Sequence, residues 1–216
     1  QPGLNWGEFN RETQVHGLAT TGGVIGTTGI AGLTLGGGIG YLMGKYGLTI
    51  YNLLSAEVVT ANGQVIRAAE DENQDLFWAL RGGGGNFGVV TSFEYQIQPV
   101  GPDITGGLVA YPIEDAGKVL HFFREFAASI PDELTLFCAL VHAPDGSGVP
   151  LAAIVPCHCG PLDEGHTAVQ PLKEVSSPVM DIVGTMPYQT INGMLDAGFP
   201  KGALNYWKSG ILKGLT

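Results

Sequence analysis

Glycine is concentrated in two short stretches, and no other feature restricts this chain so strongly. Residues 20–40 read TTGGVIGTTGIAGLTLGGGIG and residues 82–88 read GGGGNFG, in a chain of 216 residues with 34 glycines. Glycine lacks a Cβ, so a cluster marks backbone that turns sharply or is approached closely by another segment or a ligand. The longer stretch carries no proline and few charges, which reads as buried or covered chain rather than a linker. Apolar residues make up 44% and charged residues 14% of the chain. That balance allows a sizeable core and argues against disorder.

The formal charge of −10 makes nucleic acid and anionic membrane poor partners. No apolar run reaches membrane-spanning length. Three cysteines, Cys138, Cys157 and Cys159, do not form a disulfide framework, and a reducing cytoplasm is the expected compartment. Cys157-His158-Cys159 has no matching second cluster and is bounded by Pro156 and Gly160, so it reads as the end of a strand and no metal is expected. The chain opens Gln1-Pro2-Gly3 and stops without a polar tail, which reads as a piece of a longer protein.

The spacing predicts a helix over 5–16, with Trp6, Phe9, Thr13 and Val15 near one face and Gly17 as its stop. A short helical piece is expected over 41–46. Strands are expected over 55–60 and 64–68, joined by an Asn62-Gly63 hairpin signal. Asn73 is expected to cap a helix that ends near Gly82, and residues 89–100 read as a half-buried strand. Pro99 and Pro102 mark a boundary, giving units over 1–100 and 101–216. The second unit is expected to hold strands at 104–111, 134–142, 151–157 and 179–185, with helices at 114–129, 165–174 and 187–195. Strands and helices in this order, with antiparallel hairpins, make an α+β fold.

From Gly83 the second stretch fits G-x-G-x-x-G, but that fingerprint requires strand, loop and helix in that order. Here the predicted order is helix, loop, strand, so the match is false. A Walker A loop also fails, because Gly44-Lys45 is followed by Tyr46. Two readings remain level on the residues alone. Either the bare loops let a flat ligand lie against backbone N–H groups, or they serve tight turns and close packing.

The run GLATTGGVIGTTGIAGLTLGGGIGYLMGKYGLTIYNLLSAEVVTANGQVIRAAEDENQDLFWALRGGGGNFGVVTSFEY resembles the second half of the flavin domain of FAD-linked oxidases. These are the vanillyl-alcohol oxidase and p-cresol methylhydroxylase (PCMH) superfamily, and the berberine-bridge-enzyme-like branch is the most similar. The resemblance covers residues 3–98, and the rest, including MPYQTINGMLDAGFPKGALNYWKSGIL, is similar to the substrate domain of the same proteins. It implies the second half of a PCMH-type FAD-binding domain followed by part of an antiparallel-sheet substrate domain, with FAD as cofactor.

The resemblance assigns the cofactor to Gly26, Thr27, Thr28, Gly29, Gly32, Leu33 and Gly36, whose N–H groups would face it. Thr28 falls where a side chain controls oxygen access, and Gly88 and Val89 fall at the adenine end. Members with two covalent flavin links use a Cys where this chain has Ile25, and a His from a segment that would precede residue 1. Plant-type members place a His where Leu33 stands, and Tyr51 replaces a usual Asp.

The implied reaction is oxidation of a C–H bond beside an alcohol, sugar or amine group of a small molecule, by hydride transfer to flavin N5 with oxygen as acceptor. No catalytic residue is identified. Tyr206 and Tyr188 are weak candidates for a base whose pKa a cation such as Lys208 would have to lower, and a packed, hydrogen-bonded tyrosine is the plainer reading of each. His16, His142, His158 and His166 read as ordinary surface or boundary residues. The competing functional reading is an inactive remnant of the same fold that only binds or supports.

Overall fold

The computed structural model describes residues 1–216 except positions 144, 200, 201, 203, 205, 207, 213, 215 and 216. Helix α1 (Trp6–Gln14) begins at a reciprocal cap: the Asn5 side chain accepts from the Glu8 N–H at 2.8 Å, and the Asn5 N–H donates to Glu8 Oε2 at 2.9 Å. Its buried row is Trp6, Asn10 and Gln14, at i, i+4 and i+8. Val15, expected on the inner face, lies past the last turn and is 75% exposed. After the short strand β1 (Leu18–Ala19) the glycine-rich stretch contains a helix the sequence did not suggest, α2 (Ile30–Leu35), and α3 (Met43–Tyr46) follows.

Strands β2 (Leu53–Val59) and β3 (Val65–Ala69) form the expected hairpin. Thr60 N–H bonds to Gln64 O, and Gly63 sits at φ +79°. Helix α4 (Gln74–Gly83) crosses back, and β4 (Val89–Tyr95) pairs with β2 to complete a three-stranded antiparallel sheet of order β3-β2-β4. Leu35, Ile50, Leu53, Ala56, Val58, Phe77, Leu80 and Val90 form its core. Asn73 stands at the N-cap of α4 as expected, and its carbonyl accepts from Phe77 N–H at 3.0 Å, but its side chain makes no cap bond. It adopts φ +49° and its Nδ2 donates to Arg67 O at 2.6 Å, so the side chain ties the loop to β3 instead.

Strand β5 (Gln98–Pro99) pairs with β1. The second sheet is built around β9 (Pro150–His158). Along one edge of β9 runs β8 (Leu134–His142), in register for nine pairs from Leu134↔His158 to His142↔Pro150. Along the other lie β6 (Asp103–Gly106) and β7 (Val109–Pro112), end to end. Outside these lie β11 (Gly184–Pro187) and β10 (Met180–Asp181).

The single strands expected over 104–111 and 179–185 are therefore each two, broken at 107–108 and 182–183. Helices α5 (Ala116–Ala127) and α6 (Leu162–Val169) cover one face, around Val109, Tyr111, Val119, Leu134, Ile154 and Leu172. α6 begins three residues before the expected 165. On the other face, Val155 and Cys157 of β9 share a cluster with Ala19, Tyr41, Leu42, Val100 and with Tyr188 and Ile191 of α7 (Tyr188–Gly193). The two larger sheets thus come from residues 53–95 and 103–187, while this cluster joins residues from both halves of the chain. No helix among the described residues is long and apolar enough to cross a membrane.

Candidate cofactor site

The glycines of residues 20–40 fall into two physical classes. Gly22 and Gly40 are packing glycines. A Cβ on Gly22 would lie 2.3 Å from Trp6 Cε3, and one on Gly40 would lie 1.8 Å from Gly22 O. These contacts place the loop directly on Trp6, which is fully buried and belongs to an aromatic group with Phe9 and Tyr95 at centroid distances of 5.4 to 6.1 Å. Gly29 and Gly32 are different: a Cβ at either position would meet nothing within 4 Å, and both are exposed.

Helix α2 explains the contrast. It turns Ile30, Thr34 and Leu35 inward. The Thr34 hydroxyl and the Tyr95 hydroxyl lie 2.7 Å apart in a hydrogen bond that fixes α2 on β4, and burial holds the Tyr95 phenol well above its ordinary pKa. The opposite edge carries Gly29, Gly32 and Gly36, at i, i+3 and i+7, all exposed. The helix therefore presents bare backbone outward. α2 also touches α4 and the 3-10 turn Gly84–Phe87, so the two glycine-rich stretches meet in space. Gly88, which closes that turn, has φ +147°, and a Cβ there would stand 2.5 Å from Val59 O. Val89 beside it is 69% exposed.

The expected N–H donors are only partly available. Gly26 is buried, and its N–H donates to Asp196 Oδ1 at 2.7 Å, while its carbonyl accepts from Gly7 N–H at 2.8 Å. Thr28 N–H is taken by Ile25 O and Gly36 N–H by Gly32 O. Leu33 points into the loop: a Cβ on Gly23 would meet its Cδ1 at 2.8 Å, and one on Gly38 would meet its Cδ2 at 2.6 Å. Where plant-type relatives are expected to carry a histidine, this chain has a packing side chain. The open part of the site consists of Thr27, Gly29, Gly32 and Gly36, with Thr28 half-buried.

These residues fit a flat or extended cofactor. The edge is free of side chains, no carboxylate stands on residues 20–40, and neither Cys nor His is there to bond the ring covalently. Asn192 on α7 and Asp196 just after it were not singled out from the sequence, yet both reach this loop. Asn192 Nδ2 donates to Gly23 O at 2.6 Å. Their i, i+4 spacing was visible, but nothing local in the sequence pairs them with a loop about 170 positions earlier.

The two weak base candidates do not converge on this edge. Tyr188 opens α7 fully buried, and burial, with Cys157 next in effect, raises its pKa far above the ordinary phenol value, opposite to the shift a base needs. Tyr206 is 88% exposed. His158, expected at a surface or boundary, is 2% exposed, and burial lowers its pKa. His142 is exposed, and His166 Nε2 lies 2.9 Å from the Thr185 hydroxyl. Cys157 is buried with its thiol pKa raised by burial, and burial also raises Cys159, to about 11. Both thiols are therefore protonated near neutral pH.

Residues 1–69 match the family described as FAD binding domain. The chain is 32% identical over 212 residues to an FAD-linked oxidoreductase of Dictyostelium discoideum, covering 97% of this chain and 45% of that one. It is similar to the structure of 6-hydroxy-D-nicotine oxidase from Arthrobacter nicotinovorans, with a TM-score of 0.82, 29% identity, and coverage of 94% of this chain and 44% of that one. A chitooligosaccharide oxidase structure matches with a TM-score of 0.75 and 27% identity, over 94% of this chain and 42% of that one. The chain thus spans somewhat under half the length of these relatives. The residues matched to that family include the whole glycine loop and α2, and the α+β architecture is that of the matched oxidases. Residues 1–69 belong to the FAD binding domain family, the chain is similar along nearly its whole length to FAD-linked oxidoreductases, and its cofactor is FAD.

Proposed function

We propose that the complete protein is an oxidase that removes hydrogen from a C–H bond beside an alcohol, sugar or amine group of a small molecule. The observation that carries this reading is the bare outer edge of α2, Gly29, Gly32 and Gly36, set beside the Gly84–Phe87 turn. FAD held along this edge would supply a hydride acceptor at N5, with oxygen as the final acceptor. This chain's residues prepare the place. Thr34 and Tyr95 fix the helix from beneath, and Trp6 supports the loop under Gly22. The glycines admit the ligand to van der Waals distance of the backbone. Half-buried Thr28 stands at the start of this edge, where it can restrict access by oxygen.

We further propose that residues 1–100 complete the cofactor unit and residues 101–216 belong to the substrate unit. The separation of the two sheets in sequence supports this division. A nicotine-type amine and a chito-oligosaccharide, in the names of two matched oxidases, bracket the chemistry to be screened. Tyr188 is not assigned as the base, because a buried phenol with a raised pKa holds its proton.

The test is an absorbance scan of the purified complete protein before and after acid precipitation. A visible flavin band released to the supernatant is expected if FAD is held without a bond. A band retained in the pellet would place a covalent link outside residues 20–40. No band, even after incubation with FAD, would overturn the oxidase reading.

A further inference from the structure

We infer that Asn192 and Asp196 are positioning residues for the cofactor: from the second half of the chain they clamp the loop that carries Thr27, Thr28 and Gly29. The inference rests on the FAD reading of that loop. Two hydrogen bonds define the clamp. Asn192 Nδ2 donates to Gly23 O at 2.6 Å, and Gly26 N–H donates to Asp196 Oδ1 at 2.7 Å. They join residues 169 and 170 positions apart.

Asn192 is 1% exposed, and its first bond is to a backbone carbonyl that no other described group reaches. The Asp196 bond is charge-assisted, which makes it the stronger kind of backbone anchor. The fit at Gly26 is close: a Cβ there would lie 2.9 Å from Asp196 Oδ2 and 3.5 Å from Asn192 O. From the other side, Gly7 N–H of α1 holds the Gly26 carbonyl at 2.8 Å. The Gly26 residue is therefore gripped between α1 and the end of α7.

The consequence follows from chain geometry. Gly23 and Gly26 are fixed, and the next residues are Thr27, Thr28 and Gly29, the exposed start of the cofactor edge. A shift of Gly26 is passed to them through one to three peptide units and through the Thr28 N–H bond back to Ile25 O at 3.1 Å. The second half of the chain thus sets where the first half meets the flavin. Asp196 acts through the loop and touches neither cofactor nor substrate.

The experiment compares native complete protein with Asp196→Ala, Asp196→Asn and Asn192→Ser, by FAD titration, by the visible absorbance and circular dichroism of the bound flavin, and by amide exchange of residues 23–29 in flavin-free protein. Asp196→Ala is expected to weaken FAD binding about 10-fold or more and to change the bound-flavin spectrum. Asp196→Asn retains an acceptor oxygen and is expected to restore the native spectrum and most of the affinity. Exchange in 23–29 of the flavin-free protein should quicken in Asp196→Ala.

Native affinity and spectrum in Asp196→Ala, with faster exchange, would overturn the coupling to the cofactor. Unchanged exchange would overturn the clamp itself. If Asp196→Ala does not fold, Asn192→Ser is judged by the same criteria. A native protein that binds no FAD would sink the cofactor reading separately, and the exchange comparison would still decide the clamp.

Discussion

Replacing Gly32 by alanine should raise the stability of this protein while weakening its hold on FAD. Gly32 is the third residue of α2, exposed, with nothing within 4 Å of an added Cβ. In a helix, alanine in place of glycine gains about 0.5–1 kcal/mol, because the unfolded chain loses less freedom on folding. For a cooperative unit of this chain's size that gain corresponds to a rise in Tm of roughly 1–4 °C. The same methyl group stands on the bare edge that the flavin would contact. Overfilling a close-packed contact costs about 1–3 kcal/mol, which is roughly a 5- to 150-fold weaker Kd. The assay pairs thermal melting of the flavin-free complete protein with a fluorescence titration against FAD. A variant that melts higher and binds FAD as the native protein does would refute the assignment of this edge to the cofactor. A variant that melts lower would refute the claim that the edge is open.

Gly22→Ala should do the opposite. Its Cβ would stand 2.3 Å from Trp6 Cε3, so a loss of about 3 kcal/mol is expected, read as a fall in Tm and a drop in Trp6 burial by fluorescence. Tyr188→Phe should leave stability unchanged or raise it by about 1 kcal/mol, since the buried hydroxyl has no hydrogen-bond partner among the described residues. Its turnover should also survive, whereas loss of a true general base would cost about 10²–10⁴-fold in kcat. His158 should make the fold acid-sensitive. Burial is the main cause of its lowered pKa, opposed by Glu133 and Glu164. The unfolded chain then binds a proton that the folded chain resists, so stability is full above the ordinary value of 6.5 and falls as pH drops below it. His158→Gln should flatten that part of a Tm-against-pH curve, and an unchanged slope would refute the reasoning. Glu133, lowered first by a backbone hydrogen bond and then by Lys45, adds its own loss only below the ordinary carboxylate value of 4.5.

The parts of the fold that could be read from the sequence are those whose determinants lie close together in it. The β2–β3 hairpin follows from Asn62-Gly63 between two β-rich runs, and the β8–β9 pair follows from two runs joined by a turn. Helix α2 escaped because Gly32 and Thr34, with Gly29 and Gly36 at its ends, give weak local helix preference, and tertiary packing of Ile30, Thr34 and Leu35 decides it. The breaks in the outer strands escaped for a related reason. The interruption after β6 lies opposite the one between β10 and β11, where Ile182 N–H bonds to Leu108 O at 2.9 Å and the position of a Cβ on Gly107 is 2.3 Å from Ile182 O. Each break accommodates the other, and a single strand read alone shows neither. The phase of β4 also changes, with Val90 buried but Phe93 and Tyr95 the inward pair after it, because a bulge lies where β4 crosses Glu57 and Val58.

The site shows the same division. Composition and spacing alone do not rank the glycines of the loop, since a missing side chain looks alike whether a neighbour or a ligand fills the space; the choice of Gly26, Gly29, Gly32 and Gly36 comes from the family resemblance. Only the surroundings separate them. Gly22 and Gly40 are occupied by Trp6 and by each other's backbone, Leu33 fills the space between Gly23 and Gly38, and Gly26 is held by Asp196, which leaves Gly29, Gly32 and Gly36 facing outward. A side chain added at the first group meets a neighbour, and one added at Gly29 or Gly32 meets open space. A double substitution tests this in one molecule. Gly26→Ala alone should clash with the Asp196 carboxylate at 2.9 Å, while Gly26→Ala combined with Asp196→Ala removes that obstacle and leaves its nearest remaining neighbours, Asn192 O and Oδ1, at 3.5 Å. The pair should therefore be more stable than the sum of the two single losses, with a coupling of about 0.5–3 kcal/mol measured by denaturant unfolding. Strict additivity would mean that something other than Asp196 bars a side chain at Gly26, and that the carboxylate does not set the position of the loop.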